Sequence, residues 1–222
     1  MFKRVLIAED VDIINSGLKA TLDELNFSEI KHVSYCDEVL LHLKKGVLEH
    51  KPFDLLISDL SFIEDHIPQK IKSGEGLVKQ VRGAFPNLKI IIFSIEDKPF
   101  RIQNLYKNLR VNAYVWKNRN AQIELKKAIH TIYKTDDFYI TQDLKSAIHP
   151  KKAIEITEYD VNIIKHLSNG ILQDDLPKLF IEKGIKPSGK SSIEKRLKFL
   201  KEHFNANNPT HLVAIAKDLG LI

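Results

Sequence analysis

Phe53-Asp54-Leu55-Leu56-Ile57-Ser58-Asp59 is a short apolar run that ends on an acid. A run of this length, bounded by polar residues, reads as a fully buried strand. Three further stretches share its form. Arg4-Val5-Leu6-Ile7-Ala8 ends in Glu9 and Asp10; Lys89-Ile90-Ile91-Ile92-Phe93 ends in Ser94; Ala113-Tyr114-Val115-Trp116 ends in Lys117. Runs without polar alternation suit a parallel sheet covered on both faces. Open parallel sheets carry their sites at the carboxyl edge of the strands. Three acids, a hydroxyl and a lysine delivered to one edge suit a divalent metal and a phosphoryl group.

The surrounding pattern supports that sheet. Strand-like runs fall at 3–8, 30–34, 53–58, 89–94 and 112–116, and amphipathic stretches at 12–26, 37–49, 75–84, 98–109 and 120–133. Ile13, Ile14, Leu18, Leu22 and Leu25 recur at helical spacing, as do Ile123, Leu125, Ala128, Ile129 and Ile132. Five β-then-α units predict a five-stranded parallel sheet with helices on both faces, an α/β domain over 1–134. One connection is long: residues 60–75 separate Asp59 from Gly76. A loop of that length is either functional or a tolerated surface insertion. Residues 135–155, polar and containing Pro150, read as a linker. From 156 the pattern is helical throughout, at 157–169, 174–183, 190–204 and 209–218, which predicts a separate all-α domain over 156–222.

Composition narrows the setting. The 222 residues hold one large or two small domains, and no apolar run approaches the roughly 20 residues of a membrane span. Met1-Phe2-Lys3-Arg4 leads directly into a strand-like run without a signal-peptide cleavage site. The single cysteine, Cys36, forms no internal disulfide. The expected location is the cytoplasm, away from membranes. The net charge of +5 permits an acidic partner such as nucleic acid without requiring one.

The acidic cluster suits Mg²⁺, which prefers carboxylate and carbonyl oxygens. Glu9, Asp10 and Asp59 supply carboxylates, and the backbone carbonyl of Ser61 follows close behind in sequence. Asp59 is placed to attack phosphorus as a carboxylate nucleophile. Lys117 and the metal would balance charge on the phosphoryl oxygens, and Ser94 would donate a hydrogen bond to one of them. Each residue alone has a plainer reading. A strand-end Asp forms turns, Glu9-Asp10 can cap a helix, and a lysine after a strand is commonly a solvated charge. The conjunction, in this order, carries the inference.

That conjunction resembles the receiver domain of bacterial two-component response regulators over residues 1–134. The acidic pair Glu9-Asp10, the acceptor Asp59, the hydroxyl Ser94 and the lysine Lys117 stand where such receivers carry theirs. Tyr114, three residues before Lys117, stands where they carry a switch aromatic. The resemblance implies a flavodoxin-like fold, phosphorylation of Asp59 by a cognate histidine kinase, and a relay in which Ser94 moves onto the phosphoryl group and Tyr114 rotates inward. Three features depart from it. The 60–75 segment replaces a shorter connection, Asn118 stands where a proline normally follows the lysine, and bulky Ile95 follows Ser94 in place of a small residue. Ile95 beside the phosphoryl pocket predicts a slowly hydrolysed acyl phosphate.

In the helical part, Thr157 is a hydroxyl cap ahead of Val161, Ile163, Ile164 and Leu167. Pro177 is tolerable only in a first turn, so the second helix is predicted to start near Asp174 or Asp175. Ile193, Leu197, Leu200 and Phe204 form one buried stripe. The opposite face carries Lys190, Ser191, Glu194, Lys195, Lys198 and Lys201, flanked by Arg196; of these, Lys190, Ser191, Glu194, Lys195, Arg196 and Lys198, with Ser192, are the candidate DNA contacts. Such a helix can dock in a major groove, although a charged face is also what solvent alone would select. Asn208-Pro209 caps the last helix. Residues 156–222 resemble the LuxR/NarL-type helix-turn-helix, through Ile156-Thr157, Leu167, Gly170, Ser192-Ile193 and Thr210-His211-Leu212-Val213-Ala214-Ile215-Ala216. The resemblance implies that 190–204 is a recognition helix reading double-stranded DNA as part of a homodimer. About seven extra residues, around Ile181 to Ser191, lengthen the turn before it.

These readings combine into a response regulator in which phosphorylation of Asp59 controls DNA binding and transcription. The competing reading is a phospho-controlled module whose helical domain binds protein. No second catalytic constellation appears, so a metabolic enzyme is not expected.

Overall fold

The structure, a computed structural model, describes residues 1–145 and 156–222. Two units are present. In the first, parallel strands β1 (Arg4–Ala8), β2 (Glu29–Val33), β3 (Leu55–Ser58), β4 (Lys89–Ser94), β5 (Ala113–Trp116) and β6 (Tyr139–Ile140) lie in the order β2-β1-β3-β4-β5-β6. Helices α1 (Asp12–Asp23), α2 (Cys36–Leu48), α3 (Gly74–Ala84), α4 (Pro99–Lys107) and α5 (Ala121–Lys134) connect them.

Strand alternation divides the core into two layers. Leu6, Leu56, Ile90, Ile92 and Tyr114 face one way, onto Val39 and Leu43 of α2, Leu77, Val78 and Val81 of α3, and Ile102 and Leu105 of α4. Val5, Ile7, Leu55, Ile57, Ile91 and Val115 face the other, onto Leu18 and Leu22 of α1 and Leu125, Ala128, Ile129 and Ile132 of α5. Strands buried on both faces leave no room for polar alternation, which is why these runs read as continuously apolar.

The chain runs outward from β1 to β2, then returns to place β3 on β1's other side. The crevice between β1 and β3 is therefore the topological switch point, where sites form in such sheets. Register carries the strand ends there: Ala8 is opposite Ser58 and Ser58 opposite Ile92. The Asp59 amide donates to the Ala8 carbonyl at 3.0 Å, and the Lys117 amide to the Ser94 carbonyl at 2.8 Å.

The sheet has six strands, not five, and residues 135–145 belong to the first unit rather than to a linker. Two residues show no period, so β6 leaves no trace in the hydrophobic pattern. Its pairing is nevertheless specific. Tyr139 and Thr141 amides donate to the Asn112 and Tyr114 carbonyls at 3.1 Å each, and the Trp116 amide donates to Thr141 Oγ1 at 3.0 Å. The rest of the expected linker, Pro150 included, lies outside the described residues.

The second unit holds α6 (Glu158–Ser168), a 3-10 turn (Gln173–Asp175), α7 (Leu176–Glu182), α8 (Lys190–His203) and α9 (Pro209–Asp218). Ile163, Ile164, Leu176, Phe180, Ile193, Leu197, Leu200, Leu212 and Ala216 form its core. Pro177 sits in the first turn of α7, as its missing N–H requires. Thr157 and Asp160 form a reciprocal capping box at α6, and Asn208 caps α9 by accepting the His211 amide at 2.8 Å. Gly184, at φ +65°, turns the chain after α7. The lengthened segment that follows is tied back to α6, because the Tyr159 hydroxyl donates to the Pro187 carbonyl at 2.7 Å.

Candidate phosphoryl-acceptor site and basic helix

Glu9, Asp10 and Asp59 each offer a carboxylate oxygen, and these atoms lie within 4.8 Å of one another. Lys117 reaches into this group from the end of β5. Its Nζ donates to Glu9 Oε2 at 2.8 Å and to Asp59 Oδ2 at 2.7 Å, with all three side chains almost fully buried. One ammonium thus holds two carboxylates, which leaves the cluster net negative. The Glu9 carboxyl is pushed above the ordinary range by burial, with the Asp59 charge adding to the effect and Lys117 opposing it. The Phe93 ring lies 5.4 Å from Lys117 Nζ and lines the cation's other side.

The remaining oxygens are mostly spoken for. Glu9 Oε1 accepts the Val11 amide at 3.2 Å, and Asp59 Oδ1 accepts the Leu60 amide at 2.6 Å. Asp10 Oδ2 accepts the Ile63 amide at 2.6 Å, while Asp10 Oδ1 is buried without a hydrogen-bond partner. A buried carboxylate oxygen left unpaired is costly, and a divalent cation is the ligand that relieves it among three carboxylates. The donor set therefore fits a hard cation. Glu9 and Asp10 do not cap α1, whose cap residue is Val11 with no side-chain hydrogen bond.

Ser94 is fully buried at the end of β4, its Oγ accepting the Glu96 amide at 3.5 Å. Tyr114 is buried too, and its hydroxyl donates to the Glu96 carbonyl at 2.6 Å. Trp116 Nε1 donates to the Ile95 carbonyl at 3.0 Å. Two aromatic donors from β5 thus hold the connection after β4. Ile95 is 70% exposed. Asn118 bridges outward, donating to Asp143 Oδ2 at 3.1 Å and accepting the Asn120 amide at 2.9 Å. Ser61 is exposed at the start of the 60–75 segment.

Gly74, Asp37 and Trp116 escaped the sequence reading. Gly74 packs so tightly that a Cβ there would lie 2.0 Å from the Asp59 carbonyl oxygen. Its one legible signal was a glycine immediately ahead of the amphipathic stretch at 75–84.

On α8, Lys190, Ser191, Ser192, Glu194, Lys195 and Lys198 are all exposed. Arg196, which flanks that face, is partly buried and grips fully buried Asp160 through Nε–Oδ1 and through Nη2–Oδ2 at 2.6 Å, with its guanidinium 4.5 Å from the Phe199 ring centre. It serves the unit's interior, because an unpaired Asp160 there would be a buried charge. Lys190 lies 3.0 Å from Asp174 and 3.9 Å from Glu194, and Lys198 lies 3.9 Å from Glu202. Lys195 has no ion-pair partner among the described residues.

No family model matches this sequence, and no curated protein matches it. Solved structures do. The chain is similar to the RcsB response regulator of Salmonella typhimurium, with a TM-score of 0.71 and 19% identity over 97% of this chain and 99% of that one. RcsB from Salmonella enterica serovar Typhimurium, bound to promoter rprA in the presence of phosphomimetic BeF3-, gives 0.65 and 19% over 95% and 96%. The isolated REC domain of that RcsB gives 0.53 and 22% over 66% and 98%. These likenesses show the fold: a flavodoxin-like parallel α/β domain followed by a helical domain. No helix among the described residues is long and apolar enough to cross a membrane.

Proposed function

We propose that this chain is a two-component response regulator in which phosphorylation of Asp59 controls DNA binding by the second unit. The observation that carries the reading is Lys117 bonded to both Glu9 and Asp59 beside the unpartnered Asp10 Oδ1. The similar RcsB structures, which include DNA and BeF3- complexes, support extending it to this chain.

The phosphoryl group comes from a phosphohistidine of a cognate kinase. A carboxylate oxygen of Asp59 forms the new O–P bond as the N–P bond breaks, and the imidazole leaves with the electron pair. Glu9, Asp10 and Asp59, with the Ser61 carbonyl, would hold Mg²⁺, which when bound neutralises charge on the phosphoryl oxygens. Lys117 already stands on Asp59 and needs little movement to follow a phosphoryl oxygen. Ser94 provides the hydroxyl on the opposite flank. Drawing Ser94 and the following residues inward breaks the bond from the Tyr114 hydroxyl to the Glu96 carbonyl and that from Trp116 Nε1 to the Ile95 carbonyl, which lets Tyr114 change its packing. Outside that transfer, the chain does no more than slowly hydrolyse its own acyl phosphate.

In the second unit α8, of LuxR/NarL type, enters the major groove with Lys195, Lys198 and Lys190 on phosphates and Ser191 and Ser192 near base edges. Two copies place two such helices on paired half-sites. The acidic partners of Lys190 and Lys198 favour a second reading, in which this helical unit binds protein instead. Selection of genomic fragments by the purified protein, with and without beryllofluoride and Mg²⁺, separates the two. Enrichment of one two-fold-related site, stronger with beryllofluoride, supports DNA as the partner; no enrichment in either condition supports protein.

A further inference from the structure

We propose that the 60–74 segment is a clamp that positions Asp10 as a ligand for the divalent cation, with the Ile63 amide as its contact and Asp37 as its anchor. This rests on the metal-dependent reading of the site given above. The segment is not a free surface insertion. Its ends are closed by the Gly74 amide, which donates to the Leu60 carbonyl at 2.9 Å, and by the packing of Gly74 on the Asp59 backbone. Its far arm is fixed by Asp37, in the first turn of α2, which accepts the Lys70 amide at 2.8 Å and the Ile71 amide at 3.1 Å. Ile71 is buried beneath it. Its near arm is held by the Tyr35 hydroxyl, which donates to Asp65 Oδ2 at 2.7 Å. A loop with closed ends and its own packing is an Ω-type loop, a form often tied to function.

What this fixed loop delivers is one amide. Ile63 is 75% exposed, so burial does not explain its place. Its N–H on Asp10 Oδ2 does. That bond fixes the rotation of the carboxylate and occupies one oxygen, which leaves Oδ1 as the buried oxygen in need of a partner. Contacts that orient a ligand in this way commonly change metal affinity by about 10- to 100-fold when removed. Asp37 and Ile63 are thus positioning residues that do not touch the cation.

The test is Mg²⁺ titration of the full chain by calorimetry, with Trp116 fluorescence alongside. Ile63→Pro deletes the amide donor, Asp37→Ala releases the anchor, and Ile63→Ala keeps the amide. Melting temperatures without metal establish that each variant is folded. The expected result is an affinity about tenfold weaker in Ile63→Pro and Asp37→Ala, with Ile63→Ala like the wild type. Wild-type affinity in either of the first two overturns the clamp. If Glu9→Gln abolishes binding while Ile63→Pro does not, the site reading survives and the clamp alone is lost. No Mg²⁺ binding by the wild type overturns both.

Discussion

Lys117 Nζ stands 2.7 Å from Asp59 Oδ2 and 2.8 Å from Glu9 Oε2, so a single cation compensates two buried carboxylates. Removing it with Lys117→Met leaves those charges without a partner, a change that costs roughly 3 kcal/mol or more for a buried pair. Added Mg²⁺ supplies the missing positive charge. The expected outcome is a melting temperature well below wild type in EDTA, with a gap that narrows as Mg²⁺ is added. A gap that does not respond to the metal would show that the cation binds elsewhere.

The Asp160–Arg196 pair makes the stability of the helical unit pH-dependent. Burial pushes the Asp160 carboxyl up, but hydrogen bonds from Arg196 and Thr157 outweigh it and hold the group below its ordinary value of 3.8. A carboxyl depressed on folding contributes stability above its unfolded value and loses it as pH falls through the folded one. The stability of the helical unit should therefore fall below about pH 4, as Asp160 takes up a proton. Asp160→Asn should flatten that dependence, and Arg196→Met should cost about 2 kcal/mol at neutral pH by stranding Asp160. Chemical denaturation across pH reads both.

Of the three α8 lysines proposed to contact DNA, Lys190, Lys195 and Lys198, Lys195 alone has no ion-pair partner among the described residues. Lys195→Ala should weaken DNA binding and lower the salt slope, log affinity against log salt, by about one. Lys190→Ala and Lys198→Ala should do less, because Asp174, Glu194 and Glu202 already share those charges. Fluorescence anisotropy on a selected fragment at several salt concentrations gives the slopes.

Ile95 follows Ser94 and is mostly exposed. In the proposed phosphorylated state, with the connection drawn towards Asp59, its branched side chain would screen the acyl phosphate from water. Ile95→Ala should shorten the phosphoryl lifetime several-fold, about 1 kcal/mol in the hydrolytic barrier. Equal decay of variant and wild type would remove that role from Ile95.

The parts of this molecule legible in its sequence are those where one residue type does one job. Asp59, Glu9, Ser94 and Lys117 each end an apolar strand, so a single period change marked both the strand and its site residue. Pro177 and Asn208 announced helix starts because their local chemistry allows little else. The unread parts depend on long-range partners. Nothing in Tyr139-Ile140 signals a strand, because the bonds that make it one are backbone bonds to β5. Ile63 acts through its amide, which every residue but proline has. Arg196 looked like its lysine neighbours. Its place beside the Ile193–Leu197 stripe turns it to Asp160, a partner 36 residues away.

The measurement closest to the central claim is the intact mass of the protein after incubation with a small acyl-phosphate donor and Mg²⁺. The expected result is the gain of one phosphoryl group, lost on alkaline treatment and absent from Asp59→Ala. A wild-type chain whose mass does not change, or an Asp59→Ala chain that still gains the group, would contradict Asp59 as the acceptor.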